Sequence, residues 1–425
     1  MDCRSTAGLL LFLAAATARS GDDLPPEVLL LSRFKQRIRQ DLARIPNYTC
    51  LETMQRFRRS PHSNSFEQLD TVRLEVSQVR GKELFTYPGA RRFEDRDVVS
   101  FVTGGLIGNG TFRSFAGNLF VSDTGTFQYH GEEDLDGHRA TRFDFRVPQF
   151  RSGFNIRVGG VAATVAQKGS FWFDTASLDL LRLDVYGDEM PPELGVAESL
   201  NRIYYMRARI GDSEALLPKS AEVLLARSGG DANRNAVEFS NCREYQTESI
   251  ISFGPIPETT AQPTPISRTV ELPAGLIITV VLETAIESKT SSVGDPIRAR
   301  VIRDVRHQGE IALPKGAMLS GRILRLDRRA ASSPFAIGIG FHEAEWEGNS
   351  AEFRGELIEI NNNIATMQQM LTYSDEGRKR VLIRTEGDGV GIFYIQGKHF
   401  RIAPGLTMLW RTVAPDLKHE SDAPH

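Results

Sequence analysis

The segment LDTVRLEVSQVRGKELFTYPG, residues 69–89, sets Val72, Leu74 and Val76 at alternate positions with polar residues between them, then turns at Arg80-Gly81-Lys82. A period of two puts the apolar side chains on one face of an extended strand, so the segment reads as a half-buried β-hairpin. The same device returns three times. TFQYHGEEDLDGHRATRFDFRVP turns at Leu135-Asp136-Gly137, GSFWFDTASLDLLRLDV turns between Asp174 and Leu178, and YYMRARIGDSEALLPKSAEVLL turns at Ile210-Gly211-Asp212. Long antiparallel strands therefore dominate the first half of the chain.

Two helical stretches interrupt this pattern. After Pro25-Pro26, the residues Leu31, Phe34, Ile38, Leu42 and Ile45 recur at steps of three and four and stop before Pro46. That is an amphipathic helix. Its other face carries Arg33, Lys35, Arg37, Arg39 and Arg44, most simply a solvated face, with contact to a membrane surface as the alternative. Farther on, Val98, Val99 and Val102, then Phe112, Phe115, Leu119 and Phe120, follow helical spacing and predict two short helices with an apolar face.

The N-terminus MDCRSTAGLLLFLAAATARSGDD pairs Arg4 with an apolar run from Ala7 to Ala18 and small residues at Ala16-Thr17-Ala18 or Ala18-Arg19-Ser20. It predicts a secretory signal peptide over residues 1–20, since a run of roughly twelve residues is too short to span a bilayer. No Leu-x-x-Cys lipobox stands at the cleavage point, because Cys3 precedes the apolar run. The expectation is a soluble exported protein, periplasmic or associated with an outer membrane, without a transmembrane span. Export leaves Cys50 and Cys242 in the mature chain, an even number in an oxidising compartment. A Cys50–Cys242 disulfide is the expected outcome and two buried free thiols the alternative. Closing a loop of that length stabilises by up to roughly 5 kcal/mol in the chain-entropy model.

Composition shifts at SFGPIPETTAQPTPISR, rich in proline and threonine, which predicts a linker over residues 253–268 between a first domain at 21–252 and a second at 269–413, with a disordered tail at 414–425. The second domain reads as short strands punctuated by glycine. Leu272-Pro-Ala-Gly275 returns as Leu313-Pro-Lys-Gly316, and Ile402-Ala-Pro-Gly405 echoes both, each leading into an alternating strand. A repeated turn-and-strand unit points to a small all-β, barrel-like domain. The length of 425 residues, 40% hydrophobic and 25% charged, accommodates two such domains. A formal net charge of −3 with both signs interspersed gives no field that would draw the chain to nucleic acid.

Asp174-Thr-Ala-Ser177 and Asp123-Thr-Gly125 each resemble the loop that presents a carboxylate in aspartic proteases. Such a dyad needs two carboxylates sharing one proton at equivalent loop tips. The two runs stand about fifty residues apart, too close for a complete β-lobe between them, and Ala176 occupies a place where close packing calls for glycine. Both therefore read as hairpin turns, and an aspartic-type hydrolase is kept as the remote alternative. Phe341-His-Glu-Ala-Glu-Trp346 lacks the second histidine of a zinc helix, and Gly104–Gly110 lacks the Lys-Ser/Thr pair of a phosphate loop. No catalytic residue, metal site or cofactor is predicted.

The leading helix, the strand NYTCLETM, the long hairpin at TVRLEVSQVRGKELF and above all GSFWFDTASLDLLRLDV resemble the LolA-like lipoprotein carriers and RseB-like sensors. Gly169, Phe171, Trp172, Asp174, Leu181 and Arg182 carry that likeness, which covers residues 28–252. Residues 269–330, through Leu272-Pro-Ala-Gly275 and Leu313-Pro-Lys-Gly316 with Gly321, resemble the TrbI-type outer-core proteins of secretion systems. The whole chain resembles large exported proteins of acidobacterial genomes. The first resemblance implies an antiparallel half-barrel with covering helices around an apolar cavity, lined here by Phe112, Phe115, Leu119, Phe120 and Trp172. The overall expectation is a mostly β, non-enzymatic envelope protein that binds a lipid, a lipoprotein acyl chain or an envelope protein segment. A structural adaptor with a filled core is the alternative.

Overall fold

The computed structural model describes residues 24–79, 82–90, 98–101, 106, 115–245, 268–328, 334–361, 384–386, 389–397 and 399–414. The predicted signal peptide, the predicted linker up to residue 267 and the tail from residue 415 lie outside them, as does Phe112. The chain opens with helix α1 (Pro26–Arg44), followed by β1 (Tyr48–Arg59), β2 (Glu67–Val79) and β3 (Lys82–Thr86). Next come β4 (Thr126–Leu135), β5 (His138–Val147), β6 (Asn155–Val158), β7 (Val161–Thr164), β8 (Ala166–Asp174) and β9 (Leu180–Asp188). β10 (Val196–Ile210), β11 (Ser213–Arg227) and β12 (Ala232–Glu244) complete the first half.

These strands form one curled antiparallel half-barrel in the order β3-β2-β1-β12-β11-β10-β9-β8-β5-β4, with β6 and β7 as a separate hairpin. The first strand pairs with the last, so the ends of this half of the chain meet inside the sheet. Each hairpin predicted from alternation is present, and Asp136 and Gly137, Leu178, and Gly211 at the turns all have positive φ. Cys50 and Cys242 are joined by a disulfide that bridges β1 and β12.

The predicted leading helix is α1, and its buried residues are Phe34, Ile38 and Leu42. The two other predicted helices fall partly outside the described residues. Among the described residues there is a 3-10 turn at Val98–Phe101 and a π-helical turn at Gly117–Val121, in which Leu119 and Phe120 are buried.

The second half adds β13 (Arg268–Thr269), β14 (Ile277–Leu282), β15 (Ile286–Glu287), β16 (Pro296–Val301), β17 (Val305–His307) and β18 (Glu310–Leu313). It continues with β19 (Met318–Asp327), β20 (Phe335–Trp346), β21 (Asn349–Glu352), β22 (Gly355–Asn361) and β23 (Arg384–Glu386). β24 (Val390–Ile395), β25 (Arg401–Ile402) and β26 (Thr407–Thr412) end it. The main sheet runs β13-β21-β20-β19-β16-β14-β26-β22, with β24 also paired to β20. It curls until β22 and β24 touch: a Cβ added to Gly391 would lie 2.5 Å from the Cβ of Leu357. This is the barrel-like all-β unit expected, packed around Trp410, Phe341 and Phe353.

The three Pro-Gly turns share one geometry. Gly275, Gly316 and Gly405 all have positive φ, and their N–H groups donate to the carbonyls of Thr412, Val301 and Leu282 respectively. Each turn thus hooks onto the end of another strand and then sends a buried residue, Leu276, Ala317 or Leu406, into the core.

The halves are joined by backbone pairing. β3 covers only the second part of β2, residues Glu75 to Val79. On the edge left free, the Val293 N–H donates to the Thr71 carbonyl and the Arg73 N–H donates to the Val293 carbonyl, both at 2.8 Å. Arg73 reinforces the joint with a 2.8 Å ion pair to Asp295.

Candidate functional site

Alternation along β8 decides which aromatic side chains face the concave side. Phe171 and Phe173 point inward, and α1 lowers Phe34 onto them with ring centroids 5.3 and 4.3 Å away in stacked geometry. Phe120, from the π-helical turn, meets Phe34 edge-on at 5.1 Å and Phe171 at 4.9 Å. Phe143 of β5 stacks on Phe171 at 5.7 Å. The concave face is thus lined by sheet aromatics and occupied by side chains from two elements that are not part of the sheet. Phe34, Phe120, Phe171 and Phe173 are each 0% exposed.

Of the predicted cavity residues, Leu119 and Phe120 come together over this face, and Phe115 sits at its margin against Phe154 at 5.3 Å. Trp172 does not join them. As the residue between Phe171 and Phe173 it lies on the opposite face of β8, where its ring is flanked by the guanidinium groups of Arg182 at 4.5 Å and Arg142 at 5.1 Å. Its Nε1 donates to Glu133. A charge ladder spreads from there across the convex face, through Asp144 and Ser170 on one side and Asp184, Arg202 and Glu222 on the other. Alternation makes this unavoidable: a strand cannot send neighbouring side chains to one face.

The cover is fastened at its rim by polar contacts. Lys35 Nζ lies 2.6 Å from Asp123 and 4.0 Å from the centroid of the Phe127 ring, and Arg39 Nε donates to the Phe120 carbonyl at 2.9 Å. Arg207 of β10 donates through Nε to Asp179 at 2.7 Å and through Nη2 to Asp41 of α1 at 3.0 Å. The Asp179 hydrogen bond, with Asp41 beside it, raises the Arg207 pKa further above its already high ordinary value. At its N-terminal end, α1 leaves Leu24, Val28 and Leu29 exposed by 56%, 43% and 49%.

One inward residue is chemically out of place. Glu52 of β1 shares the inner face with Cys50 and Met54, is 1% exposed, and has no hydrogen-bond partner for either carboxylate oxygen. Burial, with the nearby charge of Glu83, pushes its pKa up to about 8. Arg56, four residues along, is by contrast satisfied by Asp70, with Nε donating at 2.7 Å.

The two aspartates considered as a dyad have separate structural tasks. Asp123 receives Lys35. Asp174 accepts the N–H groups of Ala176 and Ser177 at 3.0 and 2.8 Å and lies 3.3 Å from His138 Nδ1. The Ser177 N–H bond, with the His138 and Ala176 bonds, holds its carboxyl below the ordinary range. Among the described residues, no group of three or more His, Cys, Asp or Glu is arranged to hold a metal ion, and no helix is long and apolar enough to cross a membrane.

The sequence points to the second helical stretch and Trp172 as the cavity and to α1 only as a flanking element, although Phe34 in its apolar stripe is the available signal. Glu52 is also passed over, although its parity in NYTCLETM matches that of Cys50 and Met54.

No family model and no curated protein matches the chain. Solved structures similar to it include a DUF1329 family protein from Desulfovibrio piger, at 14% identity and TM-score 0.29, covering 54% of this chain and 96% of that one. A putative outer membrane lipoprotein-sorting protein domain from Vibrio parahaemolyticus is similar at 11% identity and TM-score 0.27, covering 51% and 91%. A LolA superfamily protein from Nitrosomonas europaea is similar at 8% identity and TM-score 0.26, covering 51% and 94%. These likenesses are distant, and the functional reading rests on the geometry of the chain itself.

Proposed function

We propose that the first half is a binding module for an apolar chain, such as the acyl chain of a lipid or lipoprotein, with α1 and the Gly117–Val121 turn as a displaceable cover. The observation that carries this reading is the placement of Phe34 and Phe120: the sheet's aromatic lining is satisfied by side chains delivered from outside the sheet. A ligand chain entering as those rings leave exchanges one apolar partner for another, so most of the burial free energy is retained. The rim fits a cover that opens, because partly exposed ion pairs such as Lys35–Asp123 each contribute only about 0–1 kcal/mol. The disulfide agrees with an oxidising compartment such as the cell envelope.

The complete burial of Phe34 and Phe120 favours a second reading, an envelope adaptor whose half-barrel is filled for good. Titration with a fluorescent hexadecanoyl probe separates the two. A carrier binds the probe, and the double variant Lys35→Ala, Arg207→Met binds it more tightly, because less free energy is needed to populate the open state. Absence of binding in both proteins leaves the adaptor reading standing.

A further inference from the structure

Where the two halves meet, a cleft of about 600 Å³ opens between the β3 edge of the half-barrel and the β19–β20 face of the second unit. Its apolar wall comes from both halves: Phe85 and Phe101 on one side, Leu324 and Phe341 on the other. Among the described residues, Arg322 is the single arginine or lysine that lines it.

Arg322 is partly buried and held in place rather than neutralised. Its Nη1 donates to the Pro88 carbonyl of the first half at 2.6 Å and to the Gly294 carbonyl of the second at 3.1 Å, and its guanidinium lies 5.7 Å from the centroid of the Tyr87 ring. Among the described residues no carboxylate reaches ion-pair distance from it, whereas neighbouring arginines such as Arg73 and Arg325 each have one. Two neutral carbonyls orient a guanidinium, but they leave its charge uncompensated away from bulk water. Desolvation lowers the Arg322 pKa, with only partial relief from Tyr87 and Glu75. The remaining N–H groups of the fork match the oxygen pair of a carboxylate or phosphate. Glu343 and Glu352 also line the cleft, the latter with its carboxylate held by Arg354 at 2.6 Å.

We infer that this inter-domain cleft is a second binding site, taking an amphiphile with a single anionic head on Arg322 and its apolar body against Phe85, Phe101, Leu324 and Phe341. The site is independent of the half-barrel interior and requires both halves of the chain, because each supplies part of the wall and one of the carbonyls that aim the arginine.

Calorimetric titration of the full mature chain tests it, with dodecanoate, dodecyl phosphate and uncharged dodecanol as probes. Dodecanoate or dodecyl phosphate is expected to bind at least tenfold more tightly than dodecanol, and the better of the two identifies the head group. Arg322→Met is expected to abolish that preference. Since this change also removes the bonds to Pro88 and Gly294, Leu324→Asp serves as the second variant: it keeps Arg322, supplies a carboxylate inside the cleft, and is expected to lose the anionic probe while remaining folded. Equal binding of all three probes overturns the assignment, as does anionic binding that survives in Leu324→Asp. The gain in hexadecanoyl-probe affinity produced by Lys35→Ala, Arg207→Met is expected to persist when Arg322→Met is added, so failure of the half-barrel reading and failure of this one give different results.

Discussion

Val72 and Val293 form an isolated parallel β-bridge that ties the second half of the chain to the edge of the first half's sheet. The bridge stands where β3 stops, so the edge of β2 that would otherwise be open is partly capped by the second unit. Gly294, the next residue, makes this approach possible. Its φ is +97°, and a Cβ there would stand 2.3 Å from the Arg73 carbonyl oxygen. Gly294→Ala is therefore expected to cost on the order of 2–3 kcal/mol through backbone strain and forced separation of the two units. Urea unfolding followed by tryptophan fluorescence and by far-ultraviolet circular dichroism checks this. The parent should unfold in one coincident transition and the variant in two, and a variant within about 0.5 kcal/mol of the parent would show that the contact is not needed.

The Cys50–Cys242 disulfide closes a sequence separation of 192 residues between strands that already pair with each other. Its contribution thus comes chiefly from restricting the unfolded chain. Replacing both cysteines with serine is expected to lower stability by about 2–5 kcal/mol while leaving the circular dichroism spectrum of the folded state unchanged. Equal midpoints for the oxidised parent and the double variant would contradict it.

Glu52 predicts an alkaline weakness. Its carboxyl titrates near 4.5 in an unfolded chain and about 8 in the fold. Between those values the native state holds a proton that the unfolded state has released, so stability is complete below pH 4.5 and declines as pH rises through 8. With ~1.4 kcal/mol per pKa unit, the loss from this group amounts to several kcal/mol. Glu52→Gln, neutral throughout, is expected to flatten the profile and to be the more stable protein above pH 8. Parallel slopes of stability against pH for parent and variant between pH 4.5 and 8, read by urea denaturation, would refute the assignment.

Asp174 behaves in the opposite sense. Its folded pKa is depressed by the bonds to Ser177, His138 and Ala176, so its contribution is present above the unfolded value of 3.8 and is lost as pH falls through the folded one. Asp174→Asn is expected to cost about 1–2 kcal/mol at neutral pH and to remove that acid-side loss. A chemical-denaturation series from pH 2 to 7 reads both effects, and a variant as stable as the parent at neutral pH would deny the turn its carboxylate.

What the sequence made legible was whatever repeats with a short period. Alternation in residues 69–89 and 169–185 located hairpins, faces and turns, because period and turn chemistry are local properties. The partner of each face was not local. Nothing near Phe34 says that its ring will stack on Phe173, and nothing near Val293 says that it will complete the edge of β2. Trp172 illustrates the limit from the other side: alternation with Phe171 and Phe173 assigns it to the convex face, yet the family likeness drew it into the cavity. Glu52 and Arg322 were missed because a charged residue in a strand reads as solvent-facing until burial is known.

Arg207 is the strongest of the contacts that hold the cover, since one guanidinium bridges Asp179 beside β9 to Asp41 of α1. The Lys35–Asp123 pair is half exposed on its acidic side and contributes less. Arg207→Met keeps the aliphatic stem and removes the bridge, leaving the carboxylates of Asp41 and Asp179 only the longer contacts of Arg37, at 3.5 and 3.8 Å. The weakened contacts join the C-terminal half of α1 to the sheet, so the cost falls on cover opening more than on the fold as a whole. An opening free energy smaller by about 1–2 kcal/mol raises amide exchange along Phe34–Arg44 by about 5–30-fold while exchange in β1 and β12 stays at the parental rate. Hydrogen-exchange mass spectrometry resolves these segments. Uniform acceleration of both would mean that α1 unfolds only with the sheet and is not a cover, whereas selective acceleration gives the opening on which ligand entry depends.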